Sequence, residues 1–104
     1  VLLARVIGTL VASRKDPGLA GQTLLVLRNL DAEGADASGG VVAVDSVGAG
    51  VGEVVLYATG SSARQTEATR ERPCDAVVMA IVDSWDLDGR VTYRKTDAEG
   101  PWAS

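Results

Sequence analysis

Histidine is absent from this 104-residue chain, phenylalanine is absent too, and cysteine occurs once. Without an imidazole the chain lacks the commonest general base and metal ligand, which excludes histidine-based zinc chemistry and cysteine proteolysis. Cys74 has no second cysteine with which to close an intramolecular disulfide, which suits a reducing compartment; beside Pro73 it reads as a small buried hydrophobe. With two Trp, two Tyr and no Phe, the apolar content rests on Val, Ala and Leu, and that favours strands over helices. No run of about 18 apolar residues is present to span a membrane. The opening Val1-Leu2-Leu3-Ala4-Arg5 lacks the basic-then-apolar order of a secretory signal, so a soluble cytoplasmic protein is expected. A basic stripe is also missing: 10 basic against 14 acidic residues leave a net charge of -4. A nucleic-acid partner held through its phosphates is not expected on that balance.

What is present reads as one domain of strands joined by turn chemistry. Leu2 to Ala12 is apolar at both parities with Gly8 in its middle, the pattern of a long, bent strand covered on both sides. Asp16-Pro17-Gly18 marks a turn, and Thr23 to Leu30 is a second doubly apolar strand. Asp31 to Gly40 has loop chemistry throughout. Gly40 to Val47 and Glu53 to Thr59 read as strands joined by Gly48-Ala49-Gly50-Val51-Gly52. Gly60 to Ala68 reads as a short helix, with Ser62 and Gln65 forming a capping box, and Asp75 to Trp85 as a fifth strand. Asp88-Gly89 signals a hairpin whose return strand is Arg90 to Arg94, and Trp102 offers the last segment a docking side chain. The expected fold is all-β: a small five-stranded barrel, closed or partly closed, of the oligonucleotide/oligosaccharide-binding type. It carries one short helix and a C-terminal hairpin or tail, with a barrel domain at 1–86 and an extension at 87–104. A small barrel buries one face of each strand, so strands apolar on both faces point to a subunit interface.

No group of residues completes a reactive constellation. The glycine run lacks the Lys-Ser/Thr ending of a phosphate loop and precedes a strand instead of a helix. Asp45, Glu53, Asp75 and Asp83 lie at or near strand ends, where an acid accepts backbone N–H bonds or pairs with an Arg more readily than it does acid/base work. The four aromatics Tyr57, Trp85, Tyr93 and Trp102 are dispersed and do not form the stacking platform of a single-strand binder. No catalytic, cofactor or metal residues are assigned. The readings to weigh are a structural oligomer, a monomeric ligand- or nucleic-acid-binding barrel, and a small carboxylate enzyme.

Several ordered motifs then carry a resemblance. Arg5-Val6-Ile7-Gly8, Leu24-Leu25, Asp45 through Glu53, Gly60-Ser61-Ser62-Ala63-Arg64, Pro73-Cys74-Asp75-Ala76 and Ile81-Val82-Asp83 together resemble the vertex proteins of bacterial microcompartments. That family is found in carboxysomes and in ethanolamine- and propanediol-type compartments. The resemblance implies a five-stranded barrel that assembles head to tail into a homopentamer and caps shell vertices beside hexameric and pseudohexameric shell proteins, with no catalysis and no cofactor. It further implies that Gly48, Ala49, Gly50, Ser61, Ser62 and Arg64 stand at subunit contacts or near the ring axis. Ala80, Cys74 and Arg28-Asn29 depart from the family pattern.

Overall fold

The computed structural model describes residues 1–11, 21–60 and 76–95. Five strands, β1 (Leu2–Leu10), β2 (Leu24–Leu30), β3 (Asp36–Asp45), β4 (Val54–Thr59) and β5 (Ala76–Ile81), form a closed barrel in the order β1-β2-β3-β5-β4. β4 pairs back onto β1 through Leu2↔Tyr57 to Arg5↔Val54. All pairings are antiparallel except β3 with β5, which run parallel over Val44↔Val77 and Asp45↔Val78. A separate hairpin, β6 (Ser84–Leu87) and β7 (Arg90–Arg94), follows the barrel and turns at Asp88-Gly89, both with positive φ.

Strand periodicity of two decides which side chains fill the lumen. Ala4 and Val6 from β1, Leu25 and Leu27 from β2, Ala43 from β3, Val55 and Tyr57 from β4, and Ala76 and Val78 from β5 form one buried cluster. Alanines facing leucines and a tyrosine suit a narrow barrel, and a chain without Phe supplies that mixture. Complete burial of Leu25, Leu27, Val6, Val55 and Val78 stabilises the fold by about 1.5–3 kcal/mol per side chain. Tyr57 brings a hydroxyl into this interior, and it donates to Asn29 Oδ1 at 2.5 Å, so the polar tip is satisfied where the ring is buried. Asn29 is thereby a working part of the lumen.

The second apolar face is used in three ways, the first being a separate buried cluster of Val44, Ala58 and Val77 with Leu24 packed against it. Leu3, Leu30 and Val54 on the outer wall are covered within the subunit by Val82, Trp85 and Tyr93. The Trp85 ring stacks on Tyr93 with centroids 4.9 Å apart and 21° between planes, and its Nε1–H donates to the Ala32 carbonyl at 2.8 Å. Burial pushes the Tyr93 hydroxyl pKa up, against the opposing influence of nearby Lys95 and Arg5. The hairpin therefore consumes part of the apolar surface expected to lie between subunits. Ile7, Val42 and Met79 are left between 42% and 46% exposed. Ile7 and Met79 are the extra residues of two bulges, where Val6↔Leu27 is followed by Gly8↔Val26 and Tyr57↔Val78 by Leu56↔Ala80. Each bulge turns its side chain out of the wall.

Several expected boundaries shift. β3 begins at Asp36, inside the stretch expected to be loop to Gly40, because Arg28↔Gly40 and Leu30↔Asp36 continue the ladder with β2 through the glycines. β5 stops at Ile81 and does not run on to Trp85: Val82 N–H bonds the Val54 carbonyl at 2.8 Å, and the chain leaves the barrel to start β6. The hairpin thus starts at Ser84, within the span assigned to the barrel domain, and β6 crosses residue 86. β1 ends at Leu10, short of the expected Ala12. The turn at Asp16-Pro17-Gly18, the helix expected over 60–68 (beyond Gly60, the residue after β4) and the Trp102 segment lie outside the described residues.

A Cβ on Gly40 would collide with the Leu27 carbonyl oxygen, an atom of the neighbouring backbone that cannot move aside. Gly40→Ala is expected to destabilise the fold by about 1–3 kcal/mol in urea unfolding. Gly8→Ala, where the nearest atom is Val26 Cβ at 4.0 Å, is expected to change stability by no more than about 1 kcal/mol.

Candidate subunit interface and the glycine loop

The segment from Ser46 to Glu53 connects β3 to β4 and contains Gly48, Ala49 and Gly50, three of the residues singled out from the sequence. Its shape comes from two carboxylates, one at each end. Asp45 Oδ1 accepts the N–H groups of Val47 at 3.0 Å and Gly48 at 3.1 Å, while Oδ2 accepts that of Ala49 at 3.1 Å. Glu53 Oε1 accepts the Gly50 N–H at 2.6 Å, and the Glu53 N–H donates back to the Gly50 carbonyl at 3.1 Å. Gly48 and Gly52 have φ of +77° and +93°, the left-handed conformations that only glycine enters without strain. The loop is stitched to β1 by Gly52 N–H to the Val6 carbonyl at 2.8 Å and by Val6 N–H to the Glu53 carbonyl at 2.9 Å. Ser46 Oγ donates to the Val78 carbonyl at 2.5 Å, closing the loop's first residue onto β5.

This geometry answers the phosphate question. A loop that cradles an anion presents free N–H groups to it. Here the N–H groups of Val47, Gly48, Ala49 and Gly50 are all engaged by the loop's own carboxylates. The same bonds occupy Asp45 and Glu53, which serve as backbone acceptors in the manner expected for acids at strand ends. Glu53 also pairs with Lys95 Nζ at 2.6 Å, and the Lys95 N–H donates to the Asp83 carbonyl at 2.6 Å. Asp75 lies outside the described residues, as do Ser61, Ser62 and Arg64. The structure therefore brings together Gly48, Ala49 and Gly50 from the expected interface set and describes none of the other three.

Ala49 is buried against the core while Val51 at the loop tip is 64% exposed. A second exposed apolar feature lies on the outer wall: a groove of about 520 Å³ lined by Ile7, Val26, Leu27, Arg28, Gly39, Gly40, Val41 and Val42. Sequence reasoning missed it, because its floor is assembled from three strands and opened by the Ile7 bulge; the one sequence signal was that β1, β2 and β3 are apolar on both faces. Beside the groove, Arg5 stands across from Arg28 in the strand register. The Arg5 side chain is 13% exposed, reaches Asp36 Oδ1 at 4.0 Å, and leaves its Nε buried without a hydrogen-bond partner.

The described fold is a closed five-stranded β-barrel with an added C-terminal hairpin, and its Ser46–Glu53 loop is held by its own two carboxylates. The chain is a member of the family described as ethanolamine utilisation protein EutN/carboxysome, whose model matches residues 2–83. It is 43% identical over 95 residues to the carboxysome shell vertex protein CcmL of Gloeobacter violaceus, covering 91% of this chain and 95% of that protein. The solved structure of Gloeobacter violaceus CcmL superposes with a TM-score of 0.89 over 93% of this chain and 100% of its own. The bacterial microcompartment shell vertex protein PduN of Salmonella typhimurium is 48% identical over 86 residues, 79% of this chain and 94% of that protein. The GrpN pentameric microcompartment shell protein from Rhodospirillum rubrum is 40% identical with a TM-score of 0.76, covering 84% of this chain and 100% of its own.

Two outcomes follow from the loop. Asp45→Ala is expected to lower stability by about 1–3 kcal/mol and to speed amide exchange at Gly48 and Ala49, with Asp45→Asn recovering part of the loss because one acceptor oxygen remains. The Lys95 hydrogen bond, then the Gly50 N–H, hold the Glu53 carboxyl below its ordinary pKa against the opposing effect of burial. A carboxyl depressed in the folded state contributes stability that is fully present above its unfolded pKa and is lost as pH falls through the folded one. The same bond raises the Lys95 pKa, so its contribution persists until pH rises past the ordinary lysine range. Lys95→Met is expected to be less stable than the parent at neutral pH, with the gap closing as pH falls below the ordinary glutamate range, as read from thermal melts across pH.

Proposed function

We infer that this protein is a structural vertex subunit of a bacterial microcompartment shell, lying in the bacterial cytoplasm as part of that shell, and that it performs no catalysis. The observation that carries the reading is a barrel whose loop carboxylates are taken up by backbone N–H groups and Lys95 while apolar side chains stay exposed on the outer wall. The family membership and the pentameric shell relatives support assembly into a homopentamer. A closed ring of five supplies curvature that a flat sheet of six-fold units lacks, so its place is the corner of a shell built mainly from hexameric and pseudohexameric proteins. Gly48, Ala49 and Gly50, with Ser61, Ser62 and Arg64, are proposed to stand at subunit contacts or near the ring axis. Residues 1–86 are proposed as the shell-forming barrel and 87–104 as its extension, with the hairpin bridging the two.

The rival reading, a monomeric binding barrel, needs aromatic side chains free to stack on a ligand. Tyr57 is inside the lumen and Trp85 and Tyr93 are stacked on each other against the barrel wall. The acidic balance of the chain argues in the same direction, against nucleic acid as a partner.

Native mass spectrometry with light scattering in solution is the decisive measurement. The expected species has five times the 10.7 kDa mass of the chain. A stable monomer at micromolar concentration would overturn the reading.

A further inference from the structure

A cyclic ring is closed by a heterologous contact, in which two different surfaces of the same subunit fit each other. Resting on the ring reading, we propose that the two surfaces are the Ile7–Val42 groove with Arg28 on one subunit and the outer face of the β6–β7 hairpin, carrying Asp86 and Val91, on the next. The groove is concave and apolar, with Ile7 43% and Val42 46% exposed. Arg28 lines it and is exposed, and among the described residues no carboxylate pairs with it. Arg5 stands directly opposite in the ladder, and like charges in that position repel. Asp36 is spent on Arg5, so a carboxylate from outside the subunit is what offsets the charge of Arg28.

The hairpin has the complementary chemistry. It is a ribbon laid on the barrel wall, with Trp85 and Tyr93 pointing down into the wall. Between the pairs Trp85↔Tyr93 and Asp86↔Val91 the register shifts, with Thr92 as the extra residue. That shift turns Val91 onto the outer face beside Asp86, leaving Val91 55% exposed next to an exposed carboxylate. Asp86 has no ion-pair partner among the described residues. The groove and this ridge share no residue, as a head-to-tail contact requires. Around exposed Val51 the acids Asp45 and Glu53 are already committed to the loop backbone and Lys95, so that loop offers Arg28 no free carboxylate.

The test is a charge exchange read by native mass spectrometry and sedimentation, with circular dichroism confirming folding of each variant. Arg28→Glu and Asp86→Arg are each expected to weaken ring formation at least about tenfold, equivalent to about 1.4 kcal/mol, and the double variant to restore it. As a second readout, Val42→Cys and Val91→Cys on separate subunits, both in a Cys74→Ser background, are expected to give a disulfide-linked dimer on mixing and oxidation. A ring that survives both single exchanges, or cysteine variants that yield no mixed dimer, would overturn this contact and leave the pentamer standing. A wild-type chain that forms no ring overturns the underlying functional reading itself.

Discussion

The structure turns on the place where the barrel closes. β3 and β5 meet in parallel over only two residue pairs, Val44↔Val77 and Asp45↔Val78. Asp45 is the last residue of that seam, and its N–H also bonds the Thr23 carbonyl at 2.8 Å, tying β2 to the same point. Its carboxylate then holds three N–H groups of the following loop. One residue thus ends a strand, completes a closed sheet and sets the path of the glycine loop. The glycines around it are there because the chain must reverse within a few residues, and Gly48 and Gly52 supply the positive φ for it.

The second constraint is the poverty of large apolar side chains. A lumen built from Ala, Val and Leu with a single Tyr is narrow, and it leaves the outward faces of the same strands apolar. The C-terminal hairpin relieves part of this by covering Leu3, Leu30 and Val54 with Trp85 and Tyr93. The Lys95–Glu53 ion pair joins the end of that hairpin to the loop, so the barrel's outer cover and its glycine connection are mechanically linked. What remains exposed on the outer wall includes Ile7, Val42 and Met79.

Much of this was legible before any coordinates. Doubly apolar stretches without Phe marked strands, Asp88-Gly89 marked the hairpin turn, and the acids at strand ends were expected to accept backbone N–H bonds, as Asp45 does. Boundaries were read less well where local chemistry and tertiary pairing disagree. Asp36 to Gly40 looks like loop because glycines have no strand preference, yet a glycine at position 40 is what lets β3 run close to the Leu27 carbonyl. Val82 and Asp83 look like a continuation of β5, and only the bond to Val54 takes the chain off the barrel there.

By itself the sequence determined the all-β class, the glycine connection, the hairpin turn and the family, because each depends on residue types at short spacing along the chain. The tertiary structure alone decided which apolar residues face the lumen, which are covered by the hairpin and which stay exposed in the groove. Those outcomes depend on register and on the Ile7, Met79 and Thr92 bulges, and a shift of one residue exchanges the two faces of a strand.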